Sequence, residues 1–164
     1  MQRLWAPWRM EFIAGEKGDG CFLCEAGGAD GESDRGLLVL ERGAKAFVIM
    51  NRYPYNNGHL LVAPIRHGGE FCEMTTEESA EVMALAQRWQ GVICEVMKAE
   101  GFNVGMNLGA CAGAGVADHL HLHIVPRWTS DTNFMPVIAD VHVVPQALRE
   151  LYDKLHAHAE GGAK

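Results

Sequence analysis

The sequence predicts an α+β domain: an antiparallel sheet of about five strands, covered by one long helix and a second helix near the C-terminus. Three observations carry this. Short aliphatic segments are joined by links of hairpin length, as antiparallel neighbours require. Helically spaced apolar residues run from Val82 to Met97. Residues 118–126 alternate histidine with aliphatic residues at the period of a strand.

In chain order, residues 1–20 read as an N-terminal arm, with Leu4, Trp5, Trp8, Phe12 and Ile13 spaced to dock on a body. The core is expected over 21–127, and 128–164 as a C-terminal extension, all in one domain spanning 1–164. Gly18 to Cys24 makes a compact knuckle, and Glu25 to Gly36, rich in Gly, Asp and Ser, reads as a mobile surface loop. Leu37 to Glu41 and Ala46 to Met50 form a hairpin, and the turn-rich Asn51 to Gly58 leads to a third strand, His59 to Ala63. Thr75-Thr76-Glu77-Glu78 is a capping box. The stripe Val82, Met83, Ala86, Trp89, Val92, Ile93, Val96 and Met97 follows as a helix that Gly101 ends. Phe102 to Leu108 reads as a fourth strand and Gly109 to Gly115 as a loop of small residues. The histidine strand, Asp118 to Pro126, completes the sheet, and Pro145 opens a final helix through roughly His156.

With 48% hydrophobic and 21% charged residues in 164, the composition is that of a globular protein. No apolar run reaches the roughly 18 residues of a membrane span, and the N-terminus lacks a signal peptide's apolar segment, so a cytoplasmic location is expected, with no membrane partner. A net charge of −7 argues against nucleic acid as a partner. It leaves room for a small anion held by backbone amides and imidazoles. Five cysteines in such a chain are not a disulfide framework.

Alternation aims His119, His121 and His123 from one face and Leu120, Leu122 and Ile124 from the other. Imidazoles titrate near neutrality and shift one another's protonation, so such a row points to metal binding, nucleophilic catalysis or both. The glycine-rich loop feeding it can converge its N–H groups on a phosphate. The pair Cys21-x-x-Cys24 is, on its own, half a zinc site, a redox pair or a coincidence.

The run His-φ-His-φ-His-φ-φ, with the glycine-rich loop, Asn107, Asn51 and Gly58-His59, resembles the histidine triad family of nucleotidyl hydrolases and transferases. The segments Leu4-Trp5-Ala6-Pro7-Trp8-Arg9-Met10, Gly101 to Gly109 and Pro126-Arg127-Trp128 with Asp131, Asn133 and Phe134 are similar to the bacterial branch containing diadenosine tetraphosphate phosphorylase. The resemblance implies an antiparallel sheet flanked by helices and continued across a homodimer. It implies an enzyme acting on an adenine nucleotide or dinucleoside polyphosphate, with His121 as a nucleophile that becomes nucleotidylated and His123 as donor to the phosphoryl or leaving-group oxygen. Asn107, Gly113, Ala114 and Gly115 would hold phosphate oxygens, Asn51 the ribose, and Ile49 and Phe47 would border the adenine. It also implies a structural zinc on Cys21, Cys24, His67 and His119, pinning the knuckle to the catalytic strand.

His59 reads as a core residue or a neighbour of the site, and His142, His156 and His158 as solvated. Cys111 reads as a small loop residue, Cys72 and Cys94 as structural. One departure stands out: the family commonly has a hydroxyl where this chain has Gly115 and Val116. This leaves water or phosphate as acceptor, and keeps two rivals: hydrolysis of nucleoside phosphoramidates or adenylyl adducts, and a nucleotide-binding module with little turnover.

Overall fold

The computed structural model describes residues 20–129, 131 and 147–161. Residues 1–19 of the N-terminal arm, Pro145, His142, Asn133 and Phe134 lie outside the described residues. Five strands form one antiparallel sheet: β1 (Val39–Arg42), β2 (Ala46–Met50), β3 (Leu60–Pro64), β4 (Gly101–Met106) and β5 (Leu122–Arg127). Their spatial order is β1-β2-β3-β5-β4, which places the histidine strand between β3 and β4.

Helix α1 (Phe22–Gly28) and the single-turn α2 (Asp34–Leu37) occupy most of the stretch expected as a mobile loop. Packing overrides the loop-like composition. Leu23 and Ala26 are buried, and Gly27 sits so close to Phe47 that a Cβ there would meet its ring at 3.0 Å. Arg42 then donates to the Ala26 and Gly27 carbonyls at 2.7 and 3.1 Å while pairing with Asp34, satisfying carbonyls that a helix end leaves open.

Helix α3 (Thr76–Met97) starts at the expected capping box: the Thr75 hydroxyl accepts from the Glu78 N–H, and the Glu78 carboxylate accepts from the Thr75 N–H. Val82, Leu85, Ala86, Trp89 and Ile93 form its buried stripe; Leu85 faces inward and Met83 outward, the reverse of the expectation for that turn. The helix ends at Met97, before Gly101, because Lys98 takes the left-handed conformation (φ 53°) usually left to glycine. Helix α4 (Leu148–Gly161) runs beyond His156, packs on α3 and β1, and anchors through the Tyr152 hydroxyl donating to the Val39 carbonyl at 2.9 Å.

Register assigns the faces. Leu60 opposes Ile124 and Val62 opposes Leu122, a row that joins the α3 side. Leu61 opposes both Ile49 and His123, and His123 opposes Gly105, so these share the other face. Among the described residues no helix is long and apolar enough to cross a membrane.

Candidate functional site

The histidine row starts the fifth strand later than its alternation predicts. The ladder begins at Leu122, and His119 and His121 precede it. Residues 117–120 are instead held by the turn after β3: the Leu120 N–H donates to the Gly68 carbonyl at 2.8 Å, and Gly69 lies against the Ala117 carbonyl, too close for any Cβ. All three imidazoles are buried, at 0, 7 and 8% exposure, so this is no surface histidine strand.

Each ring has a distinct setting. His119 donates from Nε2 to the Pro64 carbonyl at 2.8 Å, which leaves the Nδ1 lone pair facing the Cys21 and Cys24 sulfurs at 3.3 and 3.4 Å. Cys24 Sγ lies 3.1 Å from His67 Nδ1, and the four ligand atoms fall within 4.8 Å of one another. Tetrahedral zinc with N and S ligands needs edges of roughly 3.3–3.8 Å; the three short contacts here, 3.1 to 3.4 Å, lie near that, and two thiols with two imidazoles are a donor set that suits the ion. Burial, then Cys21 beside it, pushes the Cys24 thiol up, so a paired thiolate state at this spacing calls for a cation.

His121 donates from Nδ1 to the His119 carbonyl at 2.8 Å. That bond places the ring's proton on Nδ1 and leaves the unshared lone pair on Nε2. Burial holds the His121 pKa below the ordinary value, outweighing the bond to the His119 carbonyl, so the ring is neutral at pH 7.

His123 is set by a chain of bonds behind it. The Tyr55 N–H donates to His59 Nδ1 at 3.1 Å, with the Asn51 amide nitrogen at 3.2 Å from the same atom. His59 must therefore carry its proton on Nε2, which lies 2.9 Å from His123 Nδ1. His123 in turn carries its proton on Nε2; the Asn107 amide group lies 3.4 Å from that atom and bonds to it only with its oxygen turned toward the ring. The Tyr55 ring stacks on His123, with centroids 5.5 Å apart at 22°. His59 is thus a direct partner of the row. The sequence signal was its place at the mouth of a strand neighbouring β5; the Tyr55 and Pro64 contacts carried no signal.

Asn51 sits at the exit of β2, its Oδ1 accepting from the Tyr53 N–H at 2.9 Å. Gly109 and Gly113 take positive φ (78° and 89°) around a turn at Ala110–Ala112, so the loop folds on the conformational freedom of glycine. Gly113 and Gly115 are exposed and Ala114 partly so. Phe47 and Ile49, two apart on β2 and in register with Ala63 and Leu61, share the His123 face, and Phe47 is wholly buried there under α1. Cys72, Cys94 and Cys111 are exposed free thiols, and His158 pairs with Glu95 at 2.8 Å.

A profile of the HIT domain matches residues 38–130, from β1 past the end of β5. The chain belongs to the HIT family. This HIT protein is 44% identical over 156 residues, 92% of its length and 80% of the relative's, to the AP-4-A phosphorylase of Mycobacterium tuberculosis. It shares the fold of a hypothetical histidine triad nucleotide-binding protein from Sulfolobus tokodaii (25% identity, TM-score 0.65, covering 86% of this chain and 93% of that one). A zinc-bound histidine triad family protein from Mycobacterium smegmatis has the same fold (23% identity, TM-score 0.66, covering 87% and 94%).

Proposed function

We propose that this HIT protein is a nucleotidyl hydrolase or transferase acting on dinucleoside polyphosphates, with His121 as nucleophile. The observation that carries the reading is the 2.8 Å bond from His121 Nδ1 to the His119 carbonyl, which presents an unprotonated Nε2 from a buried, neutral ring. The likeness to the M. tuberculosis AP-4-A phosphorylase supports the substrate class.

In the first step the Nε2 lone pair of His121 attacks the α-phosphorus of an adenine nucleotide. An N–P bond forms as the P–O bond to the rest of the polyphosphate breaks, and His123 donates its Nε2 proton toward the departing oxygen. In the second, an acceptor oxygen from water or inorganic phosphate attacks phosphorus, the N–P electrons return to Nε2, and His123 recovers a proton from the acceptor. In this reading Asn107 and the amides near Gly113, Ala114 and Gly115 would receive charge on the nonbridging oxygens, and Asn51 would meet the ribose hydroxyls. Gly115 and Val116 supply no hydroxyl there, so the donors in that stretch of loop are backbone amides.

Cys21, Cys24, His67 and His119 would hold a structural zinc, whose chemistry is to tie the α1 knuckle to the catalytic segment without activating water. We read the chain as one domain, cytoplasmic because free thiols of this kind persist in a reducing compartment. We also read it as a homodimer whose sheet continues across the outer edge of β4, where Val104 is 52% exposed. Diadenosine tetraphosphate with purified protein tests the activity: ADP and ATP formed only with phosphate means phosphorolysis, AMP and ATP without it means hydrolysis. Retention of either activity by His121→Ala rejects the reading.

A further inference from the structure

The metal set and the nucleophile meet at one peptide unit. The bond between His119 and Leu120 is planar, with its C=O and N–H pointing in opposite directions, so fixing one end aims the other. Its N–H is held by the Gly68 carbonyl at 2.8 Å, and its C=O is the acceptor for His121 Nδ1, also at 2.8 Å. Gly68 directly follows one candidate ligand, His67, and the peptide's own Cα belongs to another, His119. The next residue of the turn, Gly69, packs on the backbone one step upstream: a Cβ there would overlap the Ala117 carbonyl and come within 3.2 Å of Asp118 Cα. The segment is short of ladder support, since β5 begins only at Leu122.

We infer that the Gly68–Gly69 turn is a positioning element for the nucleophile: with the Cys21, Cys24, His67 and His119 set closed by metal, it locks the 119–120 peptide plane, so metal occupancy controls whether His121 is aimed. The inference rests on the proposed role of His121 and extends it to regulation. Loss of the metal frees His67 and His119 to move apart. The peptide can then rotate, its carbonyl leaves Nδ1, and the ring samples both tautomers and other orientations. Gly69 has no substitute because the turn must approach the Ala117 carbonyl without a side chain. The consequence is an enzyme that switches off when its thiols lose their metal, before the sheet is disturbed.

The test uses the full-length protein as purified, with metal content measured. Two arms run side by side: wild type titrated with a zinc chelator and then re-supplied with zinc, and Gly69→Ala with its metal retained. Each is read by ¹⁵N NMR of the imidazoles, with His121 assigned by comparison with His121→Gln, by far-UV circular dichroism, and by kcat and KM on diadenosine tetraphosphate. The lock predicts a single Nδ1–H tautomer for His121 in the loaded wild type. It predicts mixed tautomers in the stripped protein, reversed by zinc, and the same mixture in Gly69→Ala with kcat lowered about tenfold or more and KM within about threefold. If Gly69→Ala does not fold, the chelator arm decides alone. An unchanged tautomer in folded, stripped protein overturns the inference, as does protein purified without metal, and as does chelation that unfolds the whole chain, since the metal would then act globally. Should the wild type show no activity on the substrate, the proposed function falls while the NMR still reads the coupling.

Discussion

Replacing His59 by phenylalanine keeps a ring of similar volume in a site only 1% exposed but removes both nitrogens of the chain that sets His123. Two effects follow, and their sizes differ. Without the 2.9 Å bond from His59, His123 no longer has a preferred tautomer; an unbiased neutral imidazole divides between two forms, a cost of only about twofold. Orientation costs more. The Tyr55 stacking and the edge contact with His121, at a centroid distance of 4.8 Å, fix the ring's rotation less sharply than a 2.9 Å bond does, and a displacement on the order of 1 Å costs about 10²-fold in rate. His59→Phe should therefore lower kcat on diadenosine tetraphosphate by about 10²-fold, most of it from orientation, with KM within about threefold. His59→Gln should recover part of the loss, since its amide can accept from the Tyr55 N–H and donate to His123. The assay is single-turnover kinetics on variants checked for folding. A folded His59→Phe enzyme that loses twofold or less would refute the argument, because tautomer bias alone explains a change that small.

Three further outcomes follow from the same geometry. Cys24→Ala should lower the content of bound metal and the melting temperature together, measured by elemental analysis and calorimetry, because it removes one of four donors lying within 4.8 Å. Burial holds the His121 pKa below the ordinary 6.5, so kcat should stay level as pH falls to about 6.5 and decline only below it. The unfolded chain takes up that proton first, so the same group withdraws stability as pH drops from 6.5 toward its folded value and none beyond, a sign that a pH series of denaturant melts checks. Glu81 accepts from the Ala44, Lys45 and Ala46 N–H groups at the β1–β2 turn; burial opposes its charge, but those amides hold its carboxyl below the ordinary range. Glu81→Ala should cost about 1.5–3 kcal/mol in urea unfolding.

The features that repeat with a period, or that punctuate, were the ones legible in the sequence. The capping box at Thr75 and Glu78 and the β1–β2 hairpin appear where expected, because each is a local choice between backbone conformations. Long-range contacts were not. Glu25 to Gly36 has the composition of a loop, and it is ordered by Leu23, Ala26 and an Arg42 side chain reaching from β1. Lys98 ends α3 in a conformation its residue type disfavours, so Gly101 was the natural but mistaken stop. Within the site, Cys21, Cys24, His67 and His119 converge as the family resemblance implied, and spacing alone could not have joined residues 98 positions apart. The bonds from His59 to His123 and from Leu120 to Gly68 arise only when β3 is laid beside β5. β5 starts later than the alternation implies for the same reason: the pattern continues through His119 and His121, but the backbone there is held by a turn.

The central claim, that His121 Nε2 attacks phosphorus, is tested most directly by rapid acid-free quenching of the enzyme with diadenosine tetraphosphate in the absence of phosphate, followed by peptide mass spectrometry. The account predicts one adenylyl group on the peptide carrying residues 119–123, located at His121 by fragmentation and lost when phosphate is added before the quench. An adenylyl group on another residue, or turnover with none at any quench time, would contradict it.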